Sequence, residues 1–77
     1  MPHVIVKMLA GRSEEMKRRL AERITQDVMT VLGSDEASVS VAIEDVAPGS
    51  WTGEVYDAEI IPNWQKLYKE PGYGARP

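Results

Sequence analysis

SEEMKRRLAERITQDVMTVLG, residues 13–33, is the stretch whose reading decides the fold. Ser13 is a residue type that caps helix N-termini, and Glu14 and Glu15 suit the positive first turn. Met16, Leu20, Ile24, Val28, Val31 and Leu32 then recur at helical spacing until Gly33, a typical stop. The pattern predicts one long amphipathic helix. Upstream, His3 to Leu9 alternates, with Val4, Val6 and Met8 on one face and His3, Ile5, Lys7 and Leu9 on the other. Downstream, beyond the polar turn Ser34-Asp35-Glu36, Ser38 to Val46 alternates again, with Val39, Val41 and Ile43 opposite Ser40, Ala42 and Glu44. Strand, helix, strand in this order is a βαβ unit of the α+β class, with parallel strands and a right-handed crossover.

The apolar faces Val4/Val6/Met8 and Val39/Val41/Ile43 both fit beneath the helix stripe. Two strands are too few for an independent sheet, and their outer edges carry unpaired backbone groups. A chain of 77 residues forms one domain, residues 1–77, with a limited core. Both facts predict oligomerisation, with a homodimer sharing a four-stranded sheet as the simplest solution. Ala47-Pro48-Gly49-Ser50 reads as a turn and Trp51 to Tyr56 as a short extended or hairpin segment. Asp57 to Lys69 reads as a second, weaker helix with Trp64 and Leu67 on its buried side. Pro62 requires that helix to start near Ile61 or to kink. The tail, Glu70 to Pro77, is rich in Pro and Gly and calls for a partner to order it.

Composition narrows the chemistry. The absence of cysteine excludes disulfides, thiolate metal sites and a cysteine nucleophile, and His3 is the single histidine. A net charge of −3 gives no general attraction to nucleic acid or anionic membrane. The basic cluster Lys17, Arg18, Arg19 and Arg23 is interleaved with Glu14, Glu15 and Glu22 at helical spacings, which reads as a solvated face. The apolar run Val4 to Ala10 contains Lys7 and is too short for a membrane span or secretory segment, so a cytoplasmic protein is expected. Glu44, Glu54 and Asp57 offer carboxylates with no paired geometry.

Pro2 carries the sharpest chemical signal. Once Met1 is removed, the Pro2 nitrogen becomes a secondary amine with an available lone pair. Terminal amines titrate near pH ~7.7–8.0, so an apolar pocket or neighbouring cation lowers one readily into the range of a neutral-pH base. The structural alternative is a proline that merely initiates a strand.

Four segments together resemble the 4-oxalocrotonate tautomerase family: Met1-Pro2 opening a strand, Leu9 to Lys17 leading into the helix, Ser38 to Ile43 in the second strand, and Ala47-Pro48-Gly49-Ser50-Trp51 after it. Asp57-Ala58-Glu59-Ile60 and Pro71-Gly72-Tyr73 are similar to the family's extended dimeric subgroup, which acts on phenylenolpyruvate-type enols; the family's common assembly is a homohexamer of three such dimers, which the resemblance leaves as the alternative to a homodimer. The resemblance implies a cofactor-independent isomerase with Pro2 as proton shuttle, Arg12 as a carboxylate-binding residue and Trp51 as the aromatic pocket wall. The family's second arginine falls on Ser40, a neutral hydroxyl without the guanidinium fork, which implies a monocarboxylate substrate. Ser40 and His3 remain candidate substrate contacts, and no metal or cofactor is implied. Two rivals stand beside this reading: a hydratase or dehalogenase that uses the same amine as an acid, and an oligomeric binding domain without turnover.

Overall fold

A computed structural model describes residues 1–77, which divide into two compact units, Met1–Val46 and Ala47–Pro77. In the first, β1 (His3–Leu9) and β2 (Ser40–Val46) flank α1 (Glu14–Leu32). The strands pair in parallel, from His3 opposite Ser40 to Leu9 opposite Val46, as the βαβ reading requires. The Ala10 N–H extends this pairing by donating to the Val46 carbonyl at 2.9 Å. Gly11 turns the chain out of β1 at φ 130°, where a side chain would be strained. Ser13 then caps α1 by accepting the Met16 N–H at 3.2 Å, and Gly33 closes it in the left-handed conformation, donating to the Met29 carbonyl.

The helix turns a different arc toward the sheet from the predicted stripe. Lys17, Ala21, Ile24, Thr25, Val28 and Met29 are its half-buried residues. Met16, Leu20, Val31 and Leu32 are exposed, Val31 at 78%. A charge sits on the inner arc because the sheet answers it: Lys17 Nζ lies 2.5 Å from Asp45 Oδ2 on β2 and 3.2 Å from Glu14 Oε1. Lys17 therefore leaves the solvated cluster to which its neighbours Arg18, Arg19 and Arg23 belong. The hydrogen bond to Asp45, seconded by that to Glu14, holds its ammonium above the ordinary lysine pKa. The second strand also starts two residues later than predicted, since Glu36–Ser38 forms a 3₁₀ turn that Val39 closes.

The sheet's other face carries His3, Ile5, Lys7 and Leu9 with Ser40, Ala42, Glu44 and Val46. Ile5 is 53% exposed and Leu9 39%, and each strand keeps one unpaired edge. No residue of Met1–Val46 is buried.

Ala47–Pro77 differs from expectation in three ways. Trp51 to Tyr56 is helical, not extended: after the turn Pro48–Ser50, Trp51 adopts φ −59° and ψ −52° and opens a π-helix over Thr52–Ile60. Its wider turn is explicit in the Ile61 N–H donating to the Tyr56 carbonyl five residues back, at 2.9 Å. The pattern here lacked the polar alternation of a strand, and the helical pitch puts adjacent Val55 and Tyr56 both into the interior, where they form the buried core. The second helix thus exists but lies earlier than Asp57 to Lys69. It finishes before Pro62, whose missing N–H costs no helical bond there, and only the 3₁₀ turn Trp64–Lys66 follows. Finally, the tail is held by its own chain. Tyr56 Oη lies 2.5 Å from the Ala75 carbonyl, Arg76 pairs with Glu70 at 2.8 Å, and the Arg76 guanidinium lies 5.4 Å from the Trp64 ring centroid.

Candidate active site

Pro2, His3 and Ser40 meet at one end of the sheet. The parallel register sets Ser40 beside His3, and the Ser40 N–H donates to the Pro2 carbonyl at 3.1 Å, fixing the backbone next to the candidate amine. His3 Nδ1 and Ser40 Oγ share a 2.6 Å hydrogen bond. The imidazole tautomer governs what this pair offers a ligand. With the proton on Nδ1, Ser40 accepts from His3 and keeps its own O–H to donate; with the proton on Nε2, that O–H is spent on His3. Met1 is fully exposed, so its removal takes no packing from this end of the strand.

Arg12 lies at the other end. Seven residue steps at about 3.3 Å each put Pro2 roughly 23 Å from Leu9. Arg12 follows three residues later, with Nη1 donating to the Leu9 carbonyl at 3.3 Å. The guanidinium is therefore anchored at the end of β1 away from Pro2, beside the first turn of α1. One βαβ unit does not bring these two candidates together.

Trp51 stands between the Pro48–Ser50 turn and the π-helix, half-buried, with Nε1 donating to Tyr73 Oη at 2.9 Å. In the sequence Tyr73 figures only within Pro71-Gly72-Tyr73 and has no role of its own, because the partners are 22 residues apart and no periodicity links them. The available signal was an aromatic residue set between Gly72 and Gly74 in a polar tail. No group of three or more His, Cys, Asp or Glu residues is arranged to hold a metal ion, and no helix is long and apolar enough to cross a membrane.

A parallel βαβ unit with a proline directly behind Met1 and an arginine at the strand-to-helix turn is the part of the chain that known proteins match. The family model described as tautomerase enzyme matches residues 2–56. The chain belongs to the tautomerase family. This tautomerase is 47% identical over 74 residues to a probable tautomerase of Xylella fastidiosa (strain 9a5c), across 96% of this chain and 90% of the relative. It is 42% identical to Tautomerase PptA of Cronobacter sakazakii (strain ATCC BAA-894), across 95% and 97%. Its fold is similar to that of a 4-oxalocrotonate tautomerase isozyme from Methylibium petroleiphilum, with a TM-score of 0.63 and 36% identity over 65% of this chain and 81% of that one. The tautomerase is thus an enzyme of the isomerase class.

Proposed function

We infer that this tautomerase ketonises a small monocarboxylate 2-hydroxy-2-enoate, of the aryl-enolpyruvate type, in a site assembled from two chains. The observation that carries the reading is the separation of Pro2 and Arg12 along β1, on a strand with one free edge and an exposed apolar face. A two-fold interface is self-complementary, so two β1 strands meeting at their free edges run antiparallel. The Pro2 end of one strand then faces the Leu9–Arg12 end of the other, and the sheet grows to four strands. The unpaired N–H and C=O groups of the β1 edge find partners in the same step, which favours a homodimer of the chain.

With Met1 removed, the neutral Pro2 amine accepts the proton of the 2-hydroxyl. The electron pair moves from oxygen through C2=C3, a C2=O bond forms, and C3 takes a proton from the Pro2 ammonium. Nothing is oxidised, no group leaves, and the amine is regenerated. Arg12 of the second chain binds the carboxylate through a charge-assisted pair and steadies negative charge that develops in transit. Ser40 contributes at most one neutral hydrogen bond, shared with His3, so one carboxylate is served and a second is not. Trp51 supplies the aromatic wall that excludes water and stacks on the aryl group.

The test is complementation. Pro2→Ala and Arg12→Ala proteins are each unfolded, refolded alone and refolded as an equal mixture, and ketonisation of phenylenolpyruvate is followed. A two-chain site restores about a quarter of wild-type turnover in the mixture, because half of the dimers are mixed and each holds one intact site. A mixture no more active than the separate variants overturns the shared site.

A further inference from the structure

Tyr56 and Tyr73 take no part in the proton transfer, yet they form a continuous chain of contacts that ends on Trp51. Tyr56 is buried, 5% exposed, and its hydroxyl lies 2.5 Å from the Ala75 carbonyl and 3.3 Å from that of Tyr73. Gly74, between them, has φ 77°, and a Cβ at that position would stand 2.6 Å from Tyr56 Cζ. Only glycine lets the tail backbone pass this close over the phenol ring. The strap is thus pinned at residues 73–75, and the Arg76 contacts with Glu70 and Trp64 hold it just beyond. Pinned there, Tyr73 rests its ring 5.5 Å from that of Tyr56 and points its phenol oxygen at the Trp51 indole N–H.

An indole has a single polar atom, and the torsion that turns its ring is broad. An acceptor fixed at 2.9 Å from Nε1 therefore selects one ring orientation out of those that sterics leave open. Tyr73 itself is 52% exposed, so its ring adds little packing and its oxygen is the more specific contribution. We propose that Tyr73 is a positioning residue that locks the Trp51 indole in one orientation and thereby sets the enzyme's selectivity for aryl over small enol acids. This rests on the reading of Trp51 as the aromatic wall. Tyr73 acts through Trp51, and the C-terminal strap belongs to the specificity apparatus.

The experiment compares kcat and KM for phenylenolpyruvate and for 2-hydroxy-2-butenoate, in which a methyl group replaces the ring. It uses Tyr73→Phe, Trp51→Ala and the double variant, each made also with Trp64→Phe where Trp51 emission is read. Trp51→Ala is expected to cut the aryl-to-methyl ratio of kcat/KM by about tenfold, the scale of a remodelled apolar pocket. Tyr73→Phe should cut it by about fivefold, the scale of one neutral hydrogen bond, through KM and with kcat nearly unchanged. In the Trp51→Ala background, Tyr73→Phe should change nothing further, and in the Trp64→Phe protein it should lower the emission anisotropy of Trp51. If Trp51→Ala collapses the ratio while Tyr73→Phe leaves ratio and anisotropy intact, Tyr73 does not position the indole, although the wall reading stands. If Trp51→Ala leaves the ratio intact, the wall reading fails and the selectivity role of Tyr73 falls with it, whatever the emission does.

Discussion

Met1–Val46 and Ala47–Pro77 answer the same problem, too few residues to bury a core, in opposite ways. The first builds regular elements with good caps, yet buries none of its residues and leaves Ile5 and Leu9 open on a sheet with free edges. The second has little regular periodicity but holds the two buried residues of the chain, Val55 and Tyr56, and a tail tied down by a phenol, an ion pair and a cation–π contact. Regular secondary structure satisfies backbone groups along its length while leaving a face for someone else to cover. Irregular structure has to find its partners one side chain at a time. On this contrast, the βαβ unit is the one that leaves edges and an apolar face for another chain, and the C-terminal unit is the one that fixes Trp51 by a hydrogen bond of its own.

The largest effect should come from the first region. Pro2→Ala, or retention of Met1 verified by intact mass, is expected to lower kcat for phenylenolpyruvate by about 10²–10⁴-fold, the usual contribution of a positioned acid–base group. KM should change little, because the loss falls on a proton transfer made only in the transition state. Equal turnover by a verified Met1-retaining protein would remove Pro2 from the mechanism and leave the βαβ unit as scaffold only.

Ser40→Arg sharpens the comparison by testing whether the βαβ unit sets a selectivity of its own, through the number of carboxylates it serves. It should improve kcat/KM for a dicarboxylate enol over its monocarboxylate counterpart by about 1.5–3 kcal/mol, the worth of one charged hydrogen bond. It also removes the His3–Ser40 bond, so His3→Gln is the control that separates the two effects. A wild-type enzyme that already prefers the dicarboxylate would contradict the substrate class.

A smaller effect is expected at Gly74. Gly74→Ala places a methyl group against the Tyr56 ring at a positive φ, and a loss of about 1–2 kcal/mol in thermal or urea unfolding should follow. Met16→Ala, on the exposed side of α1, should leave stability within about 0.5 kcal/mol. Equal effects of the two would erase the distinction between a tail pinned on a buried ring and an open helix face.

The smallest effect belongs to the Lys17–Asp45 pair. Because folding raises the Lys17 pKa, its stabilisation is complete below the ordinary lysine range and fades as pH rises through the raised value. Lys17→Met should therefore lower the unfolding midpoint at pH 7 slightly and flatten the loss of stability that wild type shows on the alkaline side. Parallel alkaline profiles for the two proteins would dissociate the ion pair from stability.

Much of this protein was legible in residues 2–46. Alternation in His3–Leu9, the capped helix between Ser13 and Gly33, and the second alternating run define a parallel βαβ unit because local periodicity and capping are written within a few residues of where they act. Pro2 stood out as a candidate by its position behind Met1, and Arg12 became one through the family resemblance of the segment Leu9 to Lys17. The tertiary structure decided the rest, wherever partners lie far apart in sequence. It turned Lys17 inward because Asp45 waits 28 residues away. It wound Thr52–Ile60 into a π-helix and ended that helix short of Pro62. It brought Tyr73 to Trp51 across 22 residues, and it held Pro2 and Arg12 at opposite ends of one strand. Periodicity states which face of an element is apolar; only packing states what meets that face, and how far apart two strong signals end up.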